Sequence, residues 1–196
     1  MLFLTKRKKT SKGLSLIEAS MVLALSAIVV SGALYYYNNA SSNRKLQEDA
    51  KTIQMVLSTI RALYENQRQD VPIDYAAVAK AGNFKTNSSG AIIMETGETL
   101  NIIDGTNGFA GIAGHRFYAV DFETGDKNIC AHLASMRYGT SHFATLVLQQ
   151  GQAANATSFL QKPVADRYLS VEKASQDCST NIDGGKIARV YMAFKG

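Results

Sequence analysis

From Leu14 to Tyr37 the chain is apolar or uncharged at every position but one, and the exception is Glu18. As a helix this run of about 24 residues spans about 36 Å, enough for the hydrocarbon core of a bilayer. A carboxylate inside such a core costs a few kcal/mol even on the gentlest scales. The residues just ahead are equally constrained: Lys6, Arg7, Lys8, Lys9 and Lys12 precede Gly13, and no Asp or Glu does. Basic residues before an apolar run place the N-terminus in the cytoplasm and carry the C-terminal side across the membrane.

The formal charge of +5 belongs to that leader. Taking its five cations from the 21 basic residues leaves 16 against 16 acidic, so the rest of the chain is neutral and offers no electrostatic footprint for nucleic acid. Two cysteines, Cys130 and Cys178, fit neither a CxxC metal site nor a redox motif. In a cytosolic protein they read as buried thiols. If this part of the chain crosses the membrane, a disulfide is the better reading.

Three readings of the apolar run compete. It could be a secretory signal cleaved near Ser31-Gly32-Ala33, a permanent anchor, or a segment cut at its cytoplasmic edge after Gly13 and kept. Glu18 speaks against the first, and so does the pattern downstream. Leu46, Ala50, Ile53, Leu57, Ile60 and Tyr64 recur at spacings of three and four, one apolar stripe on an amphipathic helix. Arg44, Lys45, Gln47, Glu48, Asp49 and Lys51 fall between them and read as a solvated face. No proline interrupts Leu14 to Gln67, so one helix of up to about 54 residues, roughly 80 Å long, is expected.

Lys12-Gly13-Leu14-Ser15-Leu16-Ile17-Glu18 resembles the processing site of type IV prepilins: basic leader, glycine, apolar first mature residue, glutamate fifth. The longer stretch GLSLIEASMVLALSA is similar to the bundlins of the type IVb group, and the short leader and Leu14 agree with that group. The resemblance is specific from Lys12 to about Tyr37 and looser to Gln67. It implies a leader of residues 1–13 removed by a prepilin peptidase after Gly13, which admits backbone without a side chain. It also implies N-methylation of the new Leu14 amine, which keeps its charge. Residues 14–41 would form the membrane and polymerisation helix, 42–67 its amphipathic half, and 68–196 a globular head. In pilins these helices leave the bilayer and bundle as the filament core, where Glu18 would meet the Leu14 amine of a neighbouring subunit. The Cys130–Cys178 bridge would bound the region that type IVb pilins present at the subunit surface. The implied partners are copies of itself, the peptidase, an assembly platform and ATPase, and the inner membrane before export to an extracellular fibre. Many pilins carry a proline in the second half of the apolar helix. Here Gly32 is the only helix-weakening residue there, and any loosening should centre on it.

Beyond Gln67, Asp70-Val71-Pro72 ends the helix. Asp74 caps a short helix through Lys80, closed by Gly82. Strands are expected at Ala91–Glu95, Leu100–Ile103, Arg116–Phe122, His142–Gln149 and Ile187–Phe194. Helices are expected at Lys127–Tyr138 and Ser170–Cys178, a hairpin turn at Asp183-Gly184-Gly185, and a flexible loop at Gly108–Gly114. The fold class is therefore α+β, a long N-terminal helix across an antiparallel sheet; its identity as the pilin roll comes from the resemblance.

Catalysis finds no foothold. His115, His132 and His142 show no metal-ligand spacing, and no nucleophile elbow, phosphate loop or dinucleotide fingerprint occurs. His132, two residues after Cys130, reads as a surface residue rather than half of a dyad. No cofactor or metal is expected. Besides a major pilin subunit, the sequence leaves open a minor pilin or secretion-system pseudopilin, and a secreted or anchored binding domain with an ordinary signal.

Overall fold

The computed structural model describes residues 15–68, 71–104, 117–154 and 156–196. Helix α1 runs Leu16–Tyr64, and the chain divides between Ser42 and Asn43 into two compact units. The described part of the first unit is helix alone. The second contains the end of α1 followed by α2 (Tyr75–Ala81), β1 (Ile92–Ile93), β2 (Thr99–Asp104) and β3 (Phe117–Thr124). After these come α3 (Lys127–Ser135), β4 (His142–Gln149), α4 (Ala156–Leu160), α5 (Val171–Ile182) and β5 (Ala188–Lys195), with two short 3-10 turns around α5.

The five strands form one antiparallel sheet in the order β1-β2-β3-β5-β4. Strand alternation sorts its side chains. Tyr118, Val120 and Phe122 of β3 and Val190, Met192 and Phe194 of β5 join a core with Ile53, Val56, Leu57 and Ile60 of α1. Leu133 and the two cysteines, from α3 and α5, complete that face. Phe117, Ala119, Tyr191 and Ala193 point the other way and meet Ala144 and Leu146 of β4 and Phe159 of α4. All six residues of the apolar stripe expected on α1 are buried.

Asp49 corrects the sequence reading. Assigned to the solvated face, it is 0% exposed. Its Oδ1 accepts the backbone N–H groups of Glu95 (2.6 Å) and Thr96 (3.3 Å), and its Oδ2 accepts the Thr96 hydroxyl. One carboxylate thus ties α1 to the turn between β1 and β2. Burial pushes its pKa up, and the three hydrogen bonds oppose that rise.

Each sheet edge is met in part by the chain itself. Beside β1, Ile93 N–H donates to Lys85 O and Asn87 N–H to Ala91 O. Beside β4, Thr145 N–H donates to Arg167 O at 2.8 Å, and Lys162 Nζ reaches Thr145 O at 3.3 Å. Unsealed edges would invite strand pairing between copies.

Several boundaries differ from expectation. Helix α3 stops at Ser135, because Met136 already has extended backbone, rather than at Tyr138. Helix α5 continues to Ile182, so Asp183-Gly184-Gly185 joins a helix to β5 as a 3-10 turn and makes no hairpin. Strand β1 is only two residues long. Asp74 caps α2 as expected, accepting Ala76 N–H. The loop at Gly108–Gly114, Asp70, His115 and Arg116 lie outside the described residues.

His142, at the start of β4, is 2% exposed among the rings of Tyr138, Tyr168 and Phe194. Its Nδ1 accepts Tyr138 N–H at 3.4 Å, and its Nε2 lies 3.0 Å from Thr145 Oγ1. Both contacts suit a neutral ring. Burial lowers the pKa to about 4, helped by the Arg137 cation and opposed by a backbone hydrogen bond to Ala144. A histidine with a depressed folded pKa contributes fully above its usual 6.5 and loses that contribution as pH falls towards 4. The cost approaches about 3 kcal/mol below that window. Denaturant unfolding at pH 7 and pH 4.5 should show a larger acid loss for the natural chain than for His142→Gln. Because Asp49, Glu98 and Asp121 have raised pKa values that favour acid, only the difference between the two chains isolates the imidazole. Equal losses would show that His142 is not held neutral.

Candidate functional site

The helix begins with a reciprocal cap. Ser15 Oγ accepts Glu18 N–H at 3.2 Å, and Glu18 Oε2 accepts Ser15 N–H at 2.8 Å. Ser-x-x-Glu ahead of an apolar run is the sequence signature of a capping box. The signal is legible in Ser15-Leu16-Ile17-Glu18, but reading Glu18 only as an isolated charge missed it. The carboxylate has a task within its own chain: it closes a backbone donor at the helix start. Gly13, Leu14 and the leader lie outside the described residues.

Beyond the cap, α1 is apolar on every side. Leu16, Ile17, Met21, Val22, Leu23, Leu25, Ile28, Val29, Val30 and Leu34 are 57–90% exposed. The helix is long and apolar enough to cross a membrane. Its polar side chains turn inward: Ser20 Oγ donates to Ile17 O at 2.8 Å and Ser26 Oγ to Val22 O at 2.7 Å. Such back-bonding keeps these two hydroxyls from needing water. Tyr35, Tyr36 and Tyr37 follow, each exposed. A Cβ added at Gly32 would meet nothing within 4 Å, so no close approach within the chain requires that glycine.

The second feature is the cysteine pair. Cys130 on α3 and Cys178 on α5 form a disulfide, both fully buried, with Cα atoms 5.9 Å apart. Each helix starts on a side-chain cap. Asp126 accepts the N–H groups of Asn128 and Ile129, and Ser170 accepts Lys173 N–H. Between the cysteines the surface carries exposed Leu160, Val164 and Val171. His132 is exposed on α3 while His142 is buried in its aromatic cage. Among the described residues no group of three or more His, Cys, Asp or Glu is placed to hold a metal.

On the sheet face away from α1, Arg189 Nε donates to buried Asp121 Oδ2 at 2.7 Å and lies 3.7 Å from Glu123 Oε1. Burial pushes Asp121 up, and Arg189 pulls it back. Gln150 also donates to Glu123, at 2.8 Å. This network pins β3 to β5, although Asp121 Oδ1 is buried without a hydrogen-bond partner among the described residues.

Comparison with known proteins adds independent residues. The family model described as Bundlin matches residues 38–195, beginning just past the apolar stretch. The major structural subunit of bundle-forming pilus from Escherichia coli O127:H6 (strain E2348/69 / EPEC) is 33% identical over 156 residues, 78% of each chain. The protein of the same description from Escherichia coli O111:H- is 33% identical over 138 residues, covering 68% of this chain and 69% of that one.

The disulfide closes a loop of 48 residues in sequence. In the chain-entropy model this contributes about 4 kcal/mol, with measured losses of native bridges at about 2–5 kcal/mol. Cys130→Ser, Cys178→Ser and the double variant should therefore lose the same stability in denaturant unfolding, since one bond is lost in each. Two thiols alkylated in the native chain without reductant would show that the bridge is absent.

Proposed function

The chain belongs to the bundlin family, and on that premise we propose that it is the major structural subunit of a type IVb pilus. It enters the inner membrane as a prepilin with its N-terminus cytoplasmic and its head periplasmic. A prepilin peptidase cuts after Gly13, Leu14 is N-methylated, and a platform with its ATPase drives polymerisation into an extracellular fibre. The role is structural rather than enzymatic.

The observation that carries this reading is the uncovered apolar surface of α1 from Leu16 to Leu34. Water cannot be its resting environment, because a contiguous apolar surface of this size marks a membrane or protein contact. Lipid serves before assembly, and the same surface of neighbouring copies serves afterwards. The helical backbone and the two back-bonded serines suit both, since their polar groups are closed within the helix.

Glu18 then has two roles that one carboxylate can fill. Its Oε2 caps its own helix, and its negative charge meets the Leu14 amine of a neighbour once Gly13 has been removed. Substitution separates the two. Glu18→Gln keeps the box, because glutamine also serves at that position, and removes only the charge. Ser15→Ala weakens the box at about 1 kcal/mol and leaves the charge.

Fibre yield and subunit mass test the scheme together. Ser15→Ala should give fibres whose subunits begin at residue 14. Gly13→Val should leave a membrane-bound precursor that still carries its leader. Glu18→Gln should give processed, membrane-held subunit and few fibres, since an unpaired buried amine costs about 3–5 kcal/mol. Fibres of normal mature mass from Gly13→Val would overturn the cleavage site, and normal fibres from Glu18→Gln alone would overturn the charge pairing.

A further inference from the structure

The end of α1, the start of β3, the α3–β4 connection and the end of β5 line a cavity of about 580 Å3 that is open to solvent on one side. The volume falls within the range of small-ligand sites, about 300–1,000 Å3. Its lining is rich in donors brought from all four segments. Arg61 of α1 donates from Nη2 to Ser141 Oγ at 2.6 Å, which fixes the guanidinium against the α3–β4 connection. Lys195 N–H donates to Ser141 O at 2.8 Å, so the end of β5 is held to the same connection. Among the described residues no carboxylate lies within ion-pair distance of Arg61 or Lys195, although Glu65 and Gly196 also line the cavity.

Tyr118 supplies a second, independent observation. It is 2% exposed, with its ring stacked on Phe194 at 5.6 Å between centroids. Tyr118 lines the cavity, and among the described residues its hydroxyl makes no hydrogen bond. A hydroxyl at a cavity wall that is not used within the chain is free to donate to a ligand there. Burial raises its pKa to about 12, with Arg61 pulling the other way, so the phenol remains a donor throughout the physiological range.

We propose that this cavity is an oxyanion-binding site that takes the carboxylate or phosphate group of a small polar ligand, with Arg61, Lys195 and the Tyr118 hydroxyl as its donors. The guanidinium fork matches either group with two parallel hydrogen bonds, and the ammonium adds a point charge. Thr140 and Glu65 at the rim offer acceptors to hydroxyls elsewhere on the ligand. The site uses none of the residues assigned to processing or to the apolar surface from Leu16 to Leu34, so it stands or falls apart from fibre assembly.

Calorimetric titration of the full chain in uncharged detergent tests it, with glucuronate, inorganic phosphate and glucose as probes. Saturable binding of glucuronate or phosphate, and none of glucose, is expected; the tighter of the two identifies the anion the site prefers. Arg61→Gln should weaken that binding about tenfold or more, as loss of a charged hydrogen bond does. Tyr118→Phe, which keeps the ring and its stacking, should weaken it several-fold with the melting temperature unchanged or raised. Absence of saturable binding by either anion, equal binding of glucose, or full affinity in either variant overturns the proposal.

Discussion

The constraint on which the rest depends is the apolar surface at the start of α1. A helix bearing leucine, isoleucine and valine on every side cannot be a solvent-facing element of a soluble domain. Its neighbours must be lipid or other apolar helices. The local chemistry is consistent with both: a capping box closes the first turn, and serines return their hydroxyls to the helix backbone. The segment therefore presents side-chain carbon almost everywhere outward. A structural subunit that moves from bilayer to fibre needs such a surface, because each environment must cover it in turn.

The head, by contrast, closes on itself. Its half of α1 is apolar on one stripe only and fills one face of a five-stranded sheet. The disulfide locks α3 to α5 on that same face, and Asp49 draws the β1–β2 turn down to the helix. Part of each sheet edge is occupied by neighbouring chain. A molecule held at high local concentration beside its own copies benefits from sealed edges, since strand pairing would compete with the intended contacts. The apolar surface of α1 is then the largest one left for association.

Much of this was legible because it follows from periodicity. The three-and-four spacing from Leu46 to Tyr64 named the buried stripe residue by residue, and Asp74 and Gly82 bracketed α2. What escaped depended on partners distant in sequence. Asp49 sits among charged neighbours and looks solvated; only the turn at Glu95-Thr96, 46 and 47 residues away, reveals it as a buried tie. Strand β1 was overestimated because Ala91–Glu95 has strand composition, while its pairing covers two residues. The turn at Asp183-Gly184-Gly185 was misassigned because the same residues serve a hairpin or a helix exit, and the length of α5 decides between them. The convergence of Arg61, Tyr118, Ser141 and Lys195 has no local signal, since the four come from separate elements.

The central claim is that copies of this chain cover one another's apolar helices in the fibre. Thiol accessibility in intact fibres tests it most directly. Leu25→Cys and Val29→Cys place a probe on the apolar stretch, and Val171→Cys places one on the exposed head. In fibres, a bulky water-soluble maleimide should label Val171→Cys readily and leave the two helix positions unmodified until the fibre is dissolved in detergent. Labelling of Leu25→Cys or Val29→Cys in the intact fibre at the rate of Val171→Cys would contradict the account.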